Sequence, residues 1–108
     1  MANSRQSEIW WANLPEPLGW RPVLILTRND AIPKLHWITV APLTKTIRGL
    51  QSEVLLDQHD GVPQQCVVTL DNIAAVEQDV LIQRIATLST EKMDQVWDAL
   101  RYALDMPY

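Results

Sequence analysis

The chain has 108 residues, of which 47% are hydrophobic and 20% are charged, and its formal net charge is −4. This composition is typical of one globular domain over residues 1–108 and excludes a chain that is mainly disordered. No apolar run approaches the roughly 18 residues that a membrane span needs. The first residues are too polar for a signal peptide, so we expect a cytoplasmic protein without membrane contact.

The charge is unevenly distributed along the chain. Residues 20–50 contain five basic side chains and one acidic side chain, a local charge of +4, whereas the rest of the chain carries −8. A basic face on an acidic body can attract a polyanion, because local potential steers such a ligand more than total charge does. Solvated loop charges would give the same count, so charge alone leaves both interpretations open.

Short apolar runs separated by turn residues predict five or six strands and one helix. The predicted strands are residues 8–14, 23–26, 36–43, 53–57, 66–70 and 82–88. Two prolines and a glycine in residues 15–19 favour a short connection, so the first two strands are expected to form a hairpin-like pair.

The end of the chain changes to helical spacing. Ser89 or Thr90 can cap a helix whose apolar residues recur three and four apart. These residues are Met93, Val96, Trp97, Leu100, Ala103 and Leu104. The predicted fold class is mainly β with a C-terminal helix, in a small, strongly bent antiparallel barrel that the helix closes.

Two residues at strand ends are candidates for chemistry. Arg21 precedes Pro22 and a four-residue aliphatic run, so we expect its guanidinium to be positioned at the start of a strand. Thr44 follows an aliphatic strand and opens a polar segment that contains Lys45 and Arg48. Arg21 can also form a structural ion pair, and Thr44 can also bond its own backbone in a turn. The residues alone favour these structural roles.

Other familiar sites are absent from the sequence or weakly indicated. There is no glycine-rich phosphate loop, no nucleophile elbow and no metal-ligand spacing, so we expect neither a metal nor a cofactor. Cys66, the single cysteine, precedes two valines and is more typical of a buried small residue than of a nucleophile. His36 and His59 have suitable chemistry for an acid and base pair, but nothing in the sequence brings them together.

The order and spacing of several sequence blocks carry a family resemblance. The blocks are EIWWANLP at 8–15, RPVLIL at 21–26, VAPLT at 40–44, EVLL at 53–56, GV at 61–62 and IATLS at 85–89. Together they resemble the MazF/PemK toxins of bacterial toxin-antitoxin systems over nearly the whole chain. The resemblance implies an SH3-like barrel of the CcdB/PemK type that forms a homodimer. It also implies a MazE-like antitoxin whose acidic, partly hydrophobic segment covers the basic face.

The resemblance further implies sequence-specific, metal-independent cleavage of single-stranded RNA to 2′,3′-cyclic phosphate and 5′-hydroxyl ends. The family's catalytic arginine falls on Arg21 and its catalytic threonine on Thr44. A guanidinium can hold the charge that develops on the phosphate oxygens, and the threonine would orient the phosphate. One alternative is a CcdB-like DNA gyrase poison, although residues 105–108 do not resemble the C-terminal tail of CcdB. The other alternative is a non-catalytic SH3-like interaction module.

We expect RNA to be bound by stacking, charge and base-edge contacts. The candidate residues are Trp20, Arg28, Lys45, Arg48, Asp71 and Asn72. Trp20 is the candidate stacking platform, although a barrel or dimer contact would explain it as well. Asp71 and Asn72 fall in a brief turn where relatives place polar RNA-contacting residues.

One feature of the family is missing from the sequence. Many relatives carry a glutamate in a longer first loop, but here Gly19 is followed at once by Trp20 and Arg21. The loop is truncated, so that glutamate has no counterpart, and the position of Glu16 does not identify it as a replacement.

Overall fold

The structure, a computed structural model, describes residues 3–107 as seven antiparallel strands, four short 3-10 turns and one α-helix. The strands are β1 (Glu8–Asn13), β2 (Trp20–Ile25), β3 (Trp37–Thr44), β4 (Glu53–Leu56), β5 (Cys66–Thr69), β6 (Ala74–Glu77) and β7 (Leu81–Thr87), and helix α1 is Thr90–Leu104. The strand order is β4-β5-β3-β2-β1-β7, with β6 paired to β3. This mainly β half-barrel with one C-terminal helix confirms the predicted fold class.

The first two strands form the predicted hairpin. Ile9 pairs with Leu24 near one end of the hairpin, and Asn13 pairs with Trp20 at the other. The connection closes tightly because the backbone N–H of residue 14 donates to the Gly19 carbonyl at 3.1 Å. Gly19 has φ +61°, a conformation that residues with a side chain rarely adopt. The short loop therefore fixes where β2 begins.

The sheet has a hydrophobic cluster on each face, because consecutive strand residues point to opposite sides. In β2, Leu24 belongs to the cluster that packs under α1, whereas Val23 and Ile25 belong to the cluster on the other face. Strand β3 divides in the same way, with Ala41 and Leu43 in the first cluster and Ile38 and Val40 in the second. Both strands are therefore held from both sides.

Strand β6 is absent from the sequence prediction, which therefore undercounts the strands. It pairs with residues 37–40 of β3. Ala74 and Ala75 are exposed and only Val76 is buried. A four-residue strand with one buried side chain lacks the apolar alternation that identifies a strand in a sequence.

Helix α1 begins where the sequence predicted. Of the two candidate caps, Ser89 takes the role, since its hydroxyl accepts a hydrogen bond from the Lys92 N–H at 3.1 Å. The predicted core face of the helix is wrong at Leu104, which is 51% exposed. The prediction also omitted Ala99, which is buried.

Within residues 3–107, no helix is long and apolar enough to cross a membrane.

Replacing Leu56 with alanine tests the packing of β4. Leu56 is fully buried, whereas the neighbouring Leu55 is 49% exposed. We expect Leu56→Ala to lower the free energy of unfolding by about 2–5 kcal/mol, because it leaves a cavity in a packed core. Leu55→Ala should lower it by less than about 0.5 kcal/mol. Urea denaturation at one protein concentration measures both, and equal losses would contradict the assigned strand faces.

Candidate active site

The antiparallel pairing of β2 with β3 brings Arg21 and Thr44 together. Val23 pairs with Pro42, and extending this register by two residues places Arg21 opposite Thr44. Both residues line two neighbouring clefts. The two predicted strand ends therefore lie side by side in the middle of the sheet, just beyond the buried part of β2 and β3.

The guanidinium of Arg21 is available to a ligand. Its side chain is partly exposed, and it takes part in none of the ion pairs formed among residues 3–107. The structural ion pair that the residues alone favoured is therefore wrong. A guanidinium without a protein partner can donate two parallel hydrogen bonds to a phosphate.

Thr44 forms the hydrogen bond with the backbone of its own turn that the sequence predicted. Its Oγ1 accepts a hydrogen bond from the Thr46 N–H at 3.2 Å. A hydroxyl has one donor and two acceptor sites, so this bond leaves the proton of Thr44 free to be donated. The turn fixes the hydroxyl, which can then donate to an oxygen of a ligand held by Arg21.

The larger cleft has a volume of about 400 Å³ and mostly apolar walls. Its lining residues are Trp11, Trp20, Arg21, Pro22, Leu43, Thr44, Lys45, Val62, Pro63, Gln64, Cys66 and Ile85. The side chain of Trp20 is 61% exposed, which rules out the packing role inside the barrel. An exposed indole beside a cation can stack on a nucleobase.

The smaller cleft has a volume of about 130 Å³ and is mainly polar. It shares Arg21 and Thr44 with the larger cleft, and its other lining residues are Thr46, Arg48, Glu53, Thr69 and Asn72. Arg48 and Asn72 were predicted from the sequence, whereas Glu53 was not, because only the folded loop before β4 brings Glu53 to the cleft. The carboxylate Oε1 of Glu53 accepts from the N–H groups of Arg48 at 3.1 Å and Leu50 at 3.3 Å.

Two of the predicted RNA-binding residues line neither cleft. Arg28 follows the end of β2 opposite to Arg21, and its Nε lies 3.1 Å from Asp30 Oδ1. Asp71 accepts a hydrogen bond from the Ser52 hydroxyl and is the sequence neighbour of a residue that lines the smaller cleft. The structure therefore places Asp71 near the site and Arg28 away from it.

The two histidines lie outside both clefts. His36 Nε2 is 3.1 Å from Glu77 Oε2, and His59 Nδ1 is 3.3 Å from Asp57 Oδ1. Each therefore has its own acidic neighbour. No group of three or more histidine, cysteine or acidic residues within residues 3–107 could hold a metal ion.

Cys66 lies in the wall of the larger cleft but is buried. Burial raises the pKa of its thiol above the ordinary value of 9.0, and the negative charge of Asp60 raises it further. A raised pKa keeps the thiol protonated at neutral pH, and a protonated thiol is a poor nucleophile. The structure therefore supports a packing role for Cys66.

Comparisons with known proteins agree on one family. A sequence model of the PemK-like, MazF-like toxins of type II toxin-antitoxin systems matches residues 5–104. The Mycobacterium tuberculosis protein "Probable endoribonuclease MazF5" is 42% identical over 101 residues, which is 93% of this chain and 92% of that protein. "Probable endoribonuclease MazF2" from the same organism is 38% identical over 98 residues, which is 90% of this chain and 94% of that protein.

Solved structures give the same result. The "Mycobacterium tuberculosis toxin MazF-mt6" superposes with a TM-score of 0.86 at 37% identity, over 94% of this chain and 99% of that chain. An "Endoribonuclease in complex with its cognate antitoxin from Mycobacterial species" has a TM-score of 0.86 at 22% identity, over 97% of this chain and 98% of that chain. Because the second structure is only 22% identical in sequence, its likeness supports the fold alone.

Alkylation tests the state of Cys66. At pH 8 the folded protein should react with iodoacetamide at least roughly tenfold more slowly than the protein unfolded in urea, because burial both lowers the thiolate fraction and blocks access. The rate in the folded protein should rise as the pH is raised, since the thiolate forms only at higher pH. Mass spectrometry of timed samples measures both rates. Equal rates in the folded and unfolded protein would contradict the buried, protonated thiol.

Proposed function

The chain belongs to the family of PemK-like, MazF-like toxins of type II toxin-antitoxin systems, and from this premise we propose that residues 1–108 form one endoribonuclease domain. The family resemblance in the sequence blocks is thereby confirmed. The proposed substrate is single-stranded RNA, cleaved at specific sequences without a metal to 2′,3′-cyclic phosphate and 5′-hydroxyl ends. The observation that carries the proposal is that Arg21, which forms no ion pair within residues 3–107, lies opposite Thr44 and lines two clefts with it.

In the proposed reaction the ribose 2′-oxygen attacks the adjacent phosphorus, and negative charge builds up on the phosphate oxygens. Arg21 stabilises that charge with two hydrogen bonds, since no carboxylate in the described part of the chain pairs with it. Thr44 donates to the same phosphate and fixes its orientation. Neither side chain is suited to take the 2′-hydroxyl proton, because a guanidinium and a hydroxyl are very poor bases.

The two clefts suggest a path for the RNA on either side of the scissile phosphate. In the larger cleft Trp20 stacks on a base and Lys45 contacts the backbone. In the smaller cleft Arg48 and Asn72 contact the backbone and the base edges. Asp71 lies beside this cleft as a further acceptor. Arg28 lies at the other end of β2, so we leave it out of the path.

We also propose two protein partners and a cellular location. Large apolar side chains of residues 3–107 stay exposed, among them Leu35, Leu50, Ile82, Tyr102 and Leu104. A chain of this length buries only about two thirds of its unfolded surface, so association with a second copy would cover more of it. A MazE-like antitoxin would cover the basic face, as expected for the toxin of a two-component system. Toxin, antitoxin and RNA would meet in the cytoplasm.

Replacing Arg21 with alanine tests the proposed catalytic role. We expect Arg21→Ala to slow cleavage about 10²- to 10³-fold, the loss typical of removing one donor to a developing oxyanion. Single-turnover cleavage of an RNA that contains the recognised site, measured in EDTA, gives the rate. Arg28→Ala is the matched control, and it should cleave within about twofold of wild type because a pair with Asp30 holds it at the other end of β2. Similar losses for both variants would contradict the assignment.

Replacing Trp20 with alanine tests the stacking platform. The variant should bind RNA about 5- to 100-fold more weakly, since stacking of one base on an aromatic ring contributes about 1–3 kcal/mol. Its unfolding curve should match that of wild type, because the indole is exposed. Trp37→Ala is the control, since Trp37 is 52% exposed and lies at the far end of β3. Binding to a non-cleavable RNA with a 2′-deoxyribose at the scissile position measures both, and unchanged affinity of Trp20→Ala would contradict the stacking role.

A further inference from the structure

The proposed cleavage reaction lacks one participant. The 2′-hydroxyl must lose its proton as its oxygen attacks phosphorus, and Arg21 and Thr44 cannot accept that proton efficiently. The family's glutamate has no counterpart in the truncated first loop, and Glu16, which that loop does contain, lines neither cleft. The proton acceptor must therefore come from another part of the site.

Among residues 3–107, Glu53 is the one acidic residue in the lining of the two clefts. It is the first residue of β4, and it lines the smaller cleft together with Arg21 and Thr44. A carboxylate is a suitable general base for a ribose hydroxyl, provided that it lies within hydrogen-bond reach of it. Glu53 shares the smaller cleft with both residues of the proposed phosphate site, which makes its carboxylate the candidate for this role.

The surroundings of Glu53 hold one of its oxygens and leave the other free. Oε1 accepts from the N–H groups of Arg48 at 3.1 Å and Leu50 at 3.3 Å. Oε2 has no hydrogen bond and no ion pair with any residue in the described part of the chain. An acceptor oxygen without a protein partner, on a carboxylate that two backbone groups hold in place, is preorganised to receive a proton.

The backbone of Glu53 is fixed as well. Its N–H donates to the Leu50 carbonyl at 3.0 Å, and its position in β4 pairs with Thr69 of β5, which also lines the cleft. The preceding residue, Ser52, is buried and donates to Asp71. The other charged groups that line the cleft are the guanidinium groups of Arg21 and Arg48.

We propose that Glu53 is the general base of the cleavage reaction. This assignment rests on the proposed function. In the step, the 2′-O–H bond breaks and its proton passes to Glu53 Oε2, the 2′-oxygen forms a bond to phosphorus, and the bond from phosphorus to the 5′-oxygen breaks. The departing 5′-oxygen takes a proton from water, and Glu53 returns its proton to the solvent, so that no net proton is gained or lost.

The variant Glu53→Gln separates this role from a structural one. An amide oxygen can still accept from the N–H groups of residues 48 and 50, so the loop before β4 keeps its two hydrogen bonds. An amide cannot take a proton near neutral pH. A purely structural Glu53 would therefore be replaced well by glutamine, whereas a general base would not.

The experiment measures single-turnover cleavage in EDTA at pH 7 for wild type and Glu53→Gln. Glu53→Gln should cleave about 10²- to 10⁴-fold more slowly than wild type. Its affinity for the 2′-deoxy RNA should stay within about threefold of wild type. Glu16→Gln is the matched control and should cleave at the wild-type rate.

Several results would overturn the assignment, and they are distinguishable from failure of the proposed function. Wild-type cleavage with an unchanged rate in Glu53→Gln excludes Glu53 as the base while the nuclease stands. Glu53→Asp, which keeps the carboxylate but withdraws it by one methylene, should cleave at a rate between those of wild type and Glu53→Gln. A folded Glu53→Asp that cleaves at the wild-type rate, or no faster than Glu53→Gln, would also overturn the assignment. Absence of cleavage by wild type would overturn both proposals.

Discussion

The pairing of β2 with β3 is the constraint on which the rest of the structure depends. These two strands supply buried residues to both faces of the sheet, so each is held between two hydrophobic clusters. Further strands fix β3 along its other edge, because β6 pairs with residues 37–40 and β5 with Leu43 and Thr44. The antiparallel register then leaves no freedom in where Arg21 and Thr44 emerge. A rigid scaffold of this kind can hold reacting groups in one geometry.

The site combines surfaces of different chemistry around Arg21 and Thr44. Arg21 and Thr44 line both an apolar cleft with an exposed indole and a polar cleft with the carboxylate of Glu53. Keeping Arg21 partly exposed avoids the cost of burying an unpaired charge. A bound phosphate would supply the missing counter-charge. Because the register of β2 and β3 and the contacts of Thr44 and Glu53 are in place before RNA arrives, these groups need little reorganisation when charge develops.

The fold could be predicted largely from the sequence because its main elements have strong local signals. The aliphatic run in β2 and the helical spacing after Ser89 identify a strand and a helix, and both are found. The weak pattern of β6 could not be recognised, since its stability comes from pairing with β3. Arg28 was grouped with Arg21 because both belong to one basic stretch, but the direction of β2 separates them. The place of Glu53 depends on a folded loop, and no local pattern reveals that contact.

If Arg21 and Thr44 promote attack of the RNA's own 2′-hydroxyl on the adjacent phosphate, the chemistry of the product ends will show it. A long RNA of mixed sequence should be treated with the wild-type protein in EDTA and its new ends mapped. We expect discrete cuts at a recurring short sequence, with 5′ ends that polynucleotide kinase can label without prior dephosphorylation and with 2′,3′-cyclic phosphate at the 3′ ends. Cuts that carry 5′-phosphates, or no cuts by folded protein, would contradict it.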